Sequence, residues 1–362
     1  YRLAFFSWAF FALIGIFLSA PFMKLMSDTP YIVENGTVYM MIITILSLFS
    51  IIQITTEKIL QATGNMKMPM MCSIVGAAVN IAFDPILIFG AGPFPEMGVT
   101  GAAVATVFGQ FVSMCLGQIV LFSGNHIVKV KLRGWKMQGR IIKDIYAVGA
   151  PAILMQSIAS IMQFGMNLIL GGINETAVAV LGVYGRLQSF IFMPVFGLNQ
   201  GVLPIMGYNY GARNRKRLMS TYKKGFTIAF CIMAFGLILF QIFPEQFLSA
   251  FNSQGSQDMY DIGIPALRII SICFLPASFG IMTSSIFQSM GHGFYSLWGA
   301  LIRQIVGVLP MAWIFSRIAG LELVWYSFPL AEILGTVYFL IVLRHIYRVE
   351  IRRLDIIEEN TY

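Results

Sequence analysis

Inside one apolar stretch stands Asn80-Ile-Ala-Phe-Asp84-Pro85, an amide and a carboxylate four residues apart. On a helix that spacing puts both side chains on one face. Pro85 has no backbone N–H to donate and tends to kink a helix, which frees nearby carbonyl oxygens. A carboxylate, an amide oxygen and free carbonyls are hard oxygen ligands, the kind that suit a small cation. The carboxylate alone could equally carry a proton, because apolar surroundings favour the neutral acid. A purely structural alternative also stands: Asp84 paired with an intramembrane arginine, locking two helices together.

Other polar residues interrupt apolar runs. Glu332, Arg186, Arg268 and Arg303 join Asp84 as mid-span ionisable groups, each costing at least ~2.5 kcal/mol at a bilayer centre unless paired or hydrated. Arg268 and Arg303 lie on spans neighbouring that of Glu332, so an ion pair and a substrate contact are both open to it. Gln156, Gln163 and Asn167 recur at intervals of seven and four, which aligns them on one helical stripe. Such amides either line a cleft or bridge helices. The run Gly98-Val-Thr-Gly101-Ala-Ala-Val-Ala-Thr106 suits close helix packing. Cys72, Cys115, Cys231 and Cys273 are scattered in apolar runs without C-x-x-C spacing. No Gly-Lys dipeptide occurs, so no phosphate loop is present to use ATP.

Composition dictates the scaffold that must carry these groups. The 362 residues are 57% hydrophobic and 11% charged, with a mean hydropathy of +0.78. Soluble domains carry about 25% charged residues, so a soluble enzyme, a nucleic-acid binder and a disordered chain are excluded. The chain is expected to be an all-α polytopic membrane protein. Its spans are expected near 2–23, 37–60, 70–90, 99–122, 146–170, 177–206, 224–243, 262–287, 295–316 and 323–343. The segments 124–144 and 208–224 hold six Lys or Arg each, the tail adds Arg344, Arg348, Arg352 and Arg353, and the 57–68 connection adds Lys58 and Lys67. The opposite loops hold only Lys24 and Arg317. Positive residues mark the cytoplasmic side, which places both termini there, in a plasma membrane, with the lipid bilayer as the surrounding partner.

An internal repeat organises the spans. Shifting 34–64 by 227 lays it without gaps on 261–291, where Gly36 meets Gly263, Thr56 meets Thr283, Gln61 meets Gln288 and Gly64 meets Gly291. With small gaps, Gln110 meets Glu332. The second half holds six spans and the first only four, so about two further spans are expected ahead of Tyr1. Parallel six-span halves are a transporter plan with the substrate site between them.

Four stretches resemble the multidrug and toxic compound extrusion (MATE) family. They are Gln61-Ala-Thr-Gly64-Asn-Met-Lys67-Met-Pro69; Asn80-x-x-x-Asp84-Pro85 with Gly98-x-x-Gly101-Ala-Ala-x-Ala-Thr106; Pro194-x-x-Gly197-Leu-Asn-Gln200-Gly201-x-x-Pro204-Ile-x-Gly207-Tyr-Asn209-Tyr-Gly211-Ala; and Gln288-x-x-Gly291. The third is the most specific. The resemblance implies a two-lobe bundle with ten of twelve helices present: an N-lobe at 1–123, a basic linker at 124–144, a C-lobe at 145–345 and a tail at 346–362. It implies a monomeric antiporter, not an enzyme, that exports small amphipathic and often cationic compounds in exchange for Na⁺ or H⁺, without a cofactor. It maps the coupling site to Asp84, Asn80 and Thr106. Gln156, Gln163, Asn167, Gln200 and Glu332 are the candidate substrate-cleft residues. The first helix of the C-lobe carries Gln156 and Gln163 where other members have an acid, which favours coupling through Asp84. A flippase for lipid-linked oligosaccharides, from the related superfamily, is the alternative.

Overall fold

The computed structural model describes residues 1–354 apart from 27–28, 91, 93, 124–137, 253–254 and 319. Most of the expected linker, with Lys129, Lys131, Arg133 and Lys136, and the end of the tail lie outside the described residues. The chain divides into two compact units, 1–136 and 137–362.

The first unit contains α1 (Arg2–Met26), α2 (Pro30–Ile45), α3 (Ser47–Ala62), α4 (Lys67–Phe89) and α5 (Gly98–Ser123). The second contains α6 (Gly139–Gly171), α7 (Glu175–Gly211), α8 (Arg215–Ile242), α9 (Pro244–Ser249), α10 (Gln257–Ser271), α11 (Phe274–Ser289) and α12 (Gly293–Ala300). A π-helical segment, Leu301–Val308, leads on to α13 (Leu309–Ile318), α14 (Leu321–Val324) and α15 (Ser327–Val349). Among the described residues, eight helices are long and apolar enough to cross a membrane, and ten spans result when α2–α3 and α10–α11 each count as one bent crossing. This is the all-α, multi-pass architecture that the composition requires. Large apolar side chains such as Phe10, Phe17, Phe164 and Phe190 stand exposed on it, as a lipid-facing surface demands.

Two spans expected to be single helices are broken. α2 and α3 meet at 42°, and α10 and α11 at 45°. The breaks fall at Leu46 and at Ile272–Cys273, and 46 + 227 is 273, so the repeat extends to the backbone course. Local chemistry differs between them. Pro276 cannot donate to the carbonyl of Ile272, which ends α10. Near Leu46, the Thr44 hydroxyl donates back to the Met40 carbonyl (2.6 Å) and Ser47 to the Thr44 carbonyl (2.8 Å), bonds of a kind that bends helices.

The ends of α3 and α11 are also equivalent. Gly64 and Gly291 have φ of +84° and +86°. Asn65 N–H donates to the Leu60 carbonyl (3.0 Å) and His292 N–H to the Phe287 carbonyl (2.8 Å). This is the left-handed cap in which glycine avoids the Cβ penalty. The paired Thr56 and Thr283 are both fully buried, and each meets a tyrosine hydroxyl, Tyr1 at 2.7 Å and Tyr222 at 2.9 Å.

The core of the second unit centres on aromatic packing. Phe274 lies 5.2 Å from Phe240 and 5.4 Å from Phe192, ring centre to ring centre, in edge-on geometry. Helix α6 begins at Gly139, inside the stretch expected as linker, and Ile351 beyond α15 is buried. The start of the expected tail thus packs against the second unit.

Candidate functional site

In the first unit, glycines of α4 and α5 decide how closely the two helices approach. A Cβ on Gly109 would lie 2.6 Å from the Gly76 carbonyl oxygen, and one on Gly76 would lie 2.9 Å from the Gly109 carbonyl oxygen. A Cβ on Gly101 would strike the Leu87 carbonyl. Only glycine permits this crossing. Ser113 extends it by donating to the Cys72 carbonyl at 2.9 Å.

That approach brings Asn80 and Asp84 of α4 up to Thr106 of α5. The Asn80 amide nitrogen donates to Asp84 Oδ1 (3.3 Å) and reaches Thr106 Oγ1 (3.5 Å), while the Thr106 hydroxyl donates to the Ala102 carbonyl (2.9 Å). The three side chains nominated from the sequence therefore form one connected group. No arginine among the described residues lies within ion-pair distance of Asp84. As oriented, Asn80 presents its N–H to the carboxylate. Holding a cation calls for the amide to turn its oxygen inward, a rotation that costs little in a side chain whose two ends are nearly isosteric.

A cavity of about 190 Å³ adjoins the group, lined by Gln53, Ser73, Asn80, Thr106, Gln110 and Ser113 among others. At its edge is Glu57, a carboxylate that the sequence reading passed over. Its Oε1 accepts from Ser73 Oγ (2.6 Å) and Gln53 Nε2 (3.0 Å). The span expected at 37–60 overlaps the connection expected at 57–68, and α3 runs on to Ala62, so Glu57 and Lys58 both stand on the helix.

The second unit holds a larger cavity, about 480 Å³, whose lining includes Gln163, Tyr184, Phe192, Arg303, Gln304 and Glu332. Arg303 Nη1 donates to Glu332 Oε1 at 3.1 Å. Of the two arginines open to Glu332 from the sequence, Arg303 is the partner, while Arg268 and Arg186 are exposed elsewhere. Gln163 donates to Asn167 at 3.3 Å. Gln156 and Gln200 are exposed and outside this lining. Gln110 and Glu332, equivalent in the repeat, each line the cavity of their own unit.

The MatE family profile matches residues 2–86 and 151–314, more than half of the chain and both of its units. The chain belongs to the MatE family. Among curated proteins, this MatE chain is similar to the multidrug export protein MepA of Staphylococcus aureus, at 24% identity over 298 residues, covering 81% of this chain and 63% of MepA. It is also similar to the probable multidrug resistance protein YoeA of Bacillus subtilis, at 26% over 328 residues, covering 88% of this chain and 70% of YoeA. The chain thus spans less than two thirds of the length of MepA. Among solved structures, a MOP superfamily transporter from Pyrococcus furiosus superposes with a TM-score of 0.87 at 27% identity, covering 98% of this chain and 78% of that one. An outward-facing multidrug resistance MATE family transporter superposes with a TM-score of 0.85 at 27% identity and the same coverage.

The long motif of this MatE chain, Pro194 to Ala212, serves the end of α7. Asn199 accepts from Ser285, and Asn209 Nδ2 donates to the Ile205 carbonyl at 2.8 Å. The Tyr210 hydroxyl donates to Glu350 Oε2 (3.2 Å), and the His292 ring lies 2.9 Å from Glu350 Oε1. One carboxylate after α15 therefore joins the ends of α7 and α11. Arg213, just past α7, takes a φ of +55°.

Proposed function

We propose that the protein is a secondary antiporter of the plasma membrane, with both termini cytoplasmic. It exports small amphipathic organic compounds as a monomer, in exchange for Na⁺ or H⁺ taken up at Asp84. The observation that carries this reading is the Asp84–Asn80–Thr106 group, set at a crossing that only glycines allow, in a chain of the MatE family. A lone carboxylate in an apolar bundle is costly unless a cation or proton neutralises it. Arrival of that ion favours the conformation that buries the group, and substrate favours the other. Exchange follows when each ligand binds one conformation better than the other.

The test is efflux from vesicles holding the purified protein, with Na⁺ and pH gradients imposed separately. Asp84→Asn retains the shape of the side chain but not its charge, so it is expected to insert normally and lose ion-driven efflux. Wild-type efflux by Asp84→Asn under both gradients refutes the reading.

A further inference from the structure

The cavity of the second unit has a charge pattern that coupling at Asp84 leaves unused. Arg303 and Glu332 are not equally presented to it: the arginine side chain is 23% exposed and the glutamate 10%. A guanidinium offers five donors in a fixed fork and pairs best with a carboxylate through two of them. Among the described residues, Arg303 uses one, toward Glu332 Oε1. Glu332 therefore stands behind the arginine and balances its charge, while the more exposed partner is rich in unused donors.

The backbone holds Arg303 in place for this. It lies in the π-helical segment Leu301–Val308, which ends two residues before Pro310. Pro310 lacks the N–H that the Val306 carbonyl would otherwise receive, and the turn widens. Such segments recur at functional sites. The aliphatic stem of Arg303 passes so close to Gly335 that a Cβ there would lie 3.2 Å from Arg303 Cβ and 3.4 Å from its Cγ and Cδ. Beside it, the Oε1 of Gln304 is buried without a hydrogen-bond partner. Tyr184, Phe192, Phe196 and Phe328 supply an aromatic wall, and about 480 Å³ is within the usual range for a small-molecule site.

We propose that this cavity is a ligand chamber for amphipathic acids. The carboxylate, sulfonate or phosphate head docks on Arg303, the apolar body lies against the aromatic wall, and Gln304 accepts from a donor carried beside the head. The polarity follows from the order of the charges. An acid completes the open fork of Arg303 and leaves the Glu332 contact in place. A cationic head would meet the like charge of the more exposed guanidinium before the less exposed Glu332, and like charges brought together in an apolar medium repel strongly. The proposal rests on reading the chain as a transporter of small organic compounds, and it names a substrate class for the second unit alone.

The test is equilibrium binding of tritiated 1-naphthylacetate to purified protein in phosphatidylcholine nanodiscs, with no ion gradient. Saturable binding is expected. The double variant Arg303→Gln/Glu332→Gln, which removes both charges together and leaves neither stranded, should weaken binding at least tenfold. Glu332→Gln alone unmasks the guanidinium and should tighten it several-fold. Arg303→Lys, which keeps the charge without the fork, should fall between the double variant and wild type. Adding phosphatidylglycerol separates the two sources of an acidic head: competition assigns the chamber to a lipid acid, and unchanged binding assigns it to a soluble one. Absence of saturable binding, equal binding by the double variant, or loss of binding on Glu332→Gln in a monodisperse protein overturns the proposal. Asp84→Asn shifts the conformational equilibrium and with it the affinity, but saturable binding that still depends on Arg303 is expected to persist in it, so a failure of ion coupling and a failure of this chamber are read separately.

Discussion

Replacing Gly109 with alanine tests whether helix approach, and not merely residue identity, builds the proposed coupling site. The added Cβ would sit 2.6 Å from the Gly76 carbonyl oxygen and 3.0 Å from Asn80 Cβ. Ordinary contact begins near 3.4 Å, so α4 and α5 must separate by about 0.8 Å (3.4 − 2.6). Overpacking of this kind costs about 1–3 kcal/mol. The Asn80–Thr106 contact, at 3.5 Å, is already at the limit of a hydrogen bond, and a separation of that size carries Thr106 Oγ1 away from the group. Losing that oxygen as a contact to the ion is worth about 1 kcal/mol, roughly a fivefold loss in ion affinity. The assay is the ion concentration, Na⁺ or H⁺, for half-maximal efflux from vesicles, alongside the thermal midpoint in detergent. Gly182→Ala is the control, because a Cβ there meets nothing within 4 Å. Wild-type ion dependence and stability in Gly109→Ala would refute the argument that the glycines place Asn80 against Thr106.

Gly291→Ala is expected to lower stability by about 1–2 kcal/mol, the cost of an L side chain in the left-handed region, and Gly64→Ala to match it, both read from thermal midpoints. Arg213→Gly, at a φ of +55°, should raise the midpoint by a similar free energy, with no gain telling against the strain argument. Thr283→Val leaves the buried Tyr222 hydroxyl unpaired and should cost about 1–3 kcal/mol. Adding Tyr222→Phe should recover part of that loss in a double-mutant cycle.

The sequence makes some of this legible and hides the rest for physical reasons. Ten spans and the 227-residue repeat are readable because a bilayer needs long apolar runs and duplication preserves glycine at helix ends. Asn80, Asp84 and Thr106 are readable because a helical turn and a motif fix them. The bends at Leu46 and Cys273 are not, since hydropathy measures apolar length and is blind to the direction of the backbone. The partner of Glu332 is ambiguous for a related reason: Arg268 and Arg303 are both on neighbouring spans, and only the faces they present separate them. Gln156 shares the stripe of Gln163 but lies seven residues, or about 10 Å along the axis, from it, so a common face does not mean a common cavity. Glu57 is not legible as a cavity residue, because its contact with Ser73 on the next helix depends on how the two helices face each other.

The Arg303–Glu332 pair also constrains how the protein is made. The two charges belong to successive crossings, 29 residues apart, and the ribosome delivers the arginine first. Alone at mid-depth, an arginine segment is disfavoured by about 2.5–3.5 kcal/mol during insertion. Pairing with the glutamate behind it offsets that penalty, which favours entry of these two crossings into lipid together, as a joined hairpin.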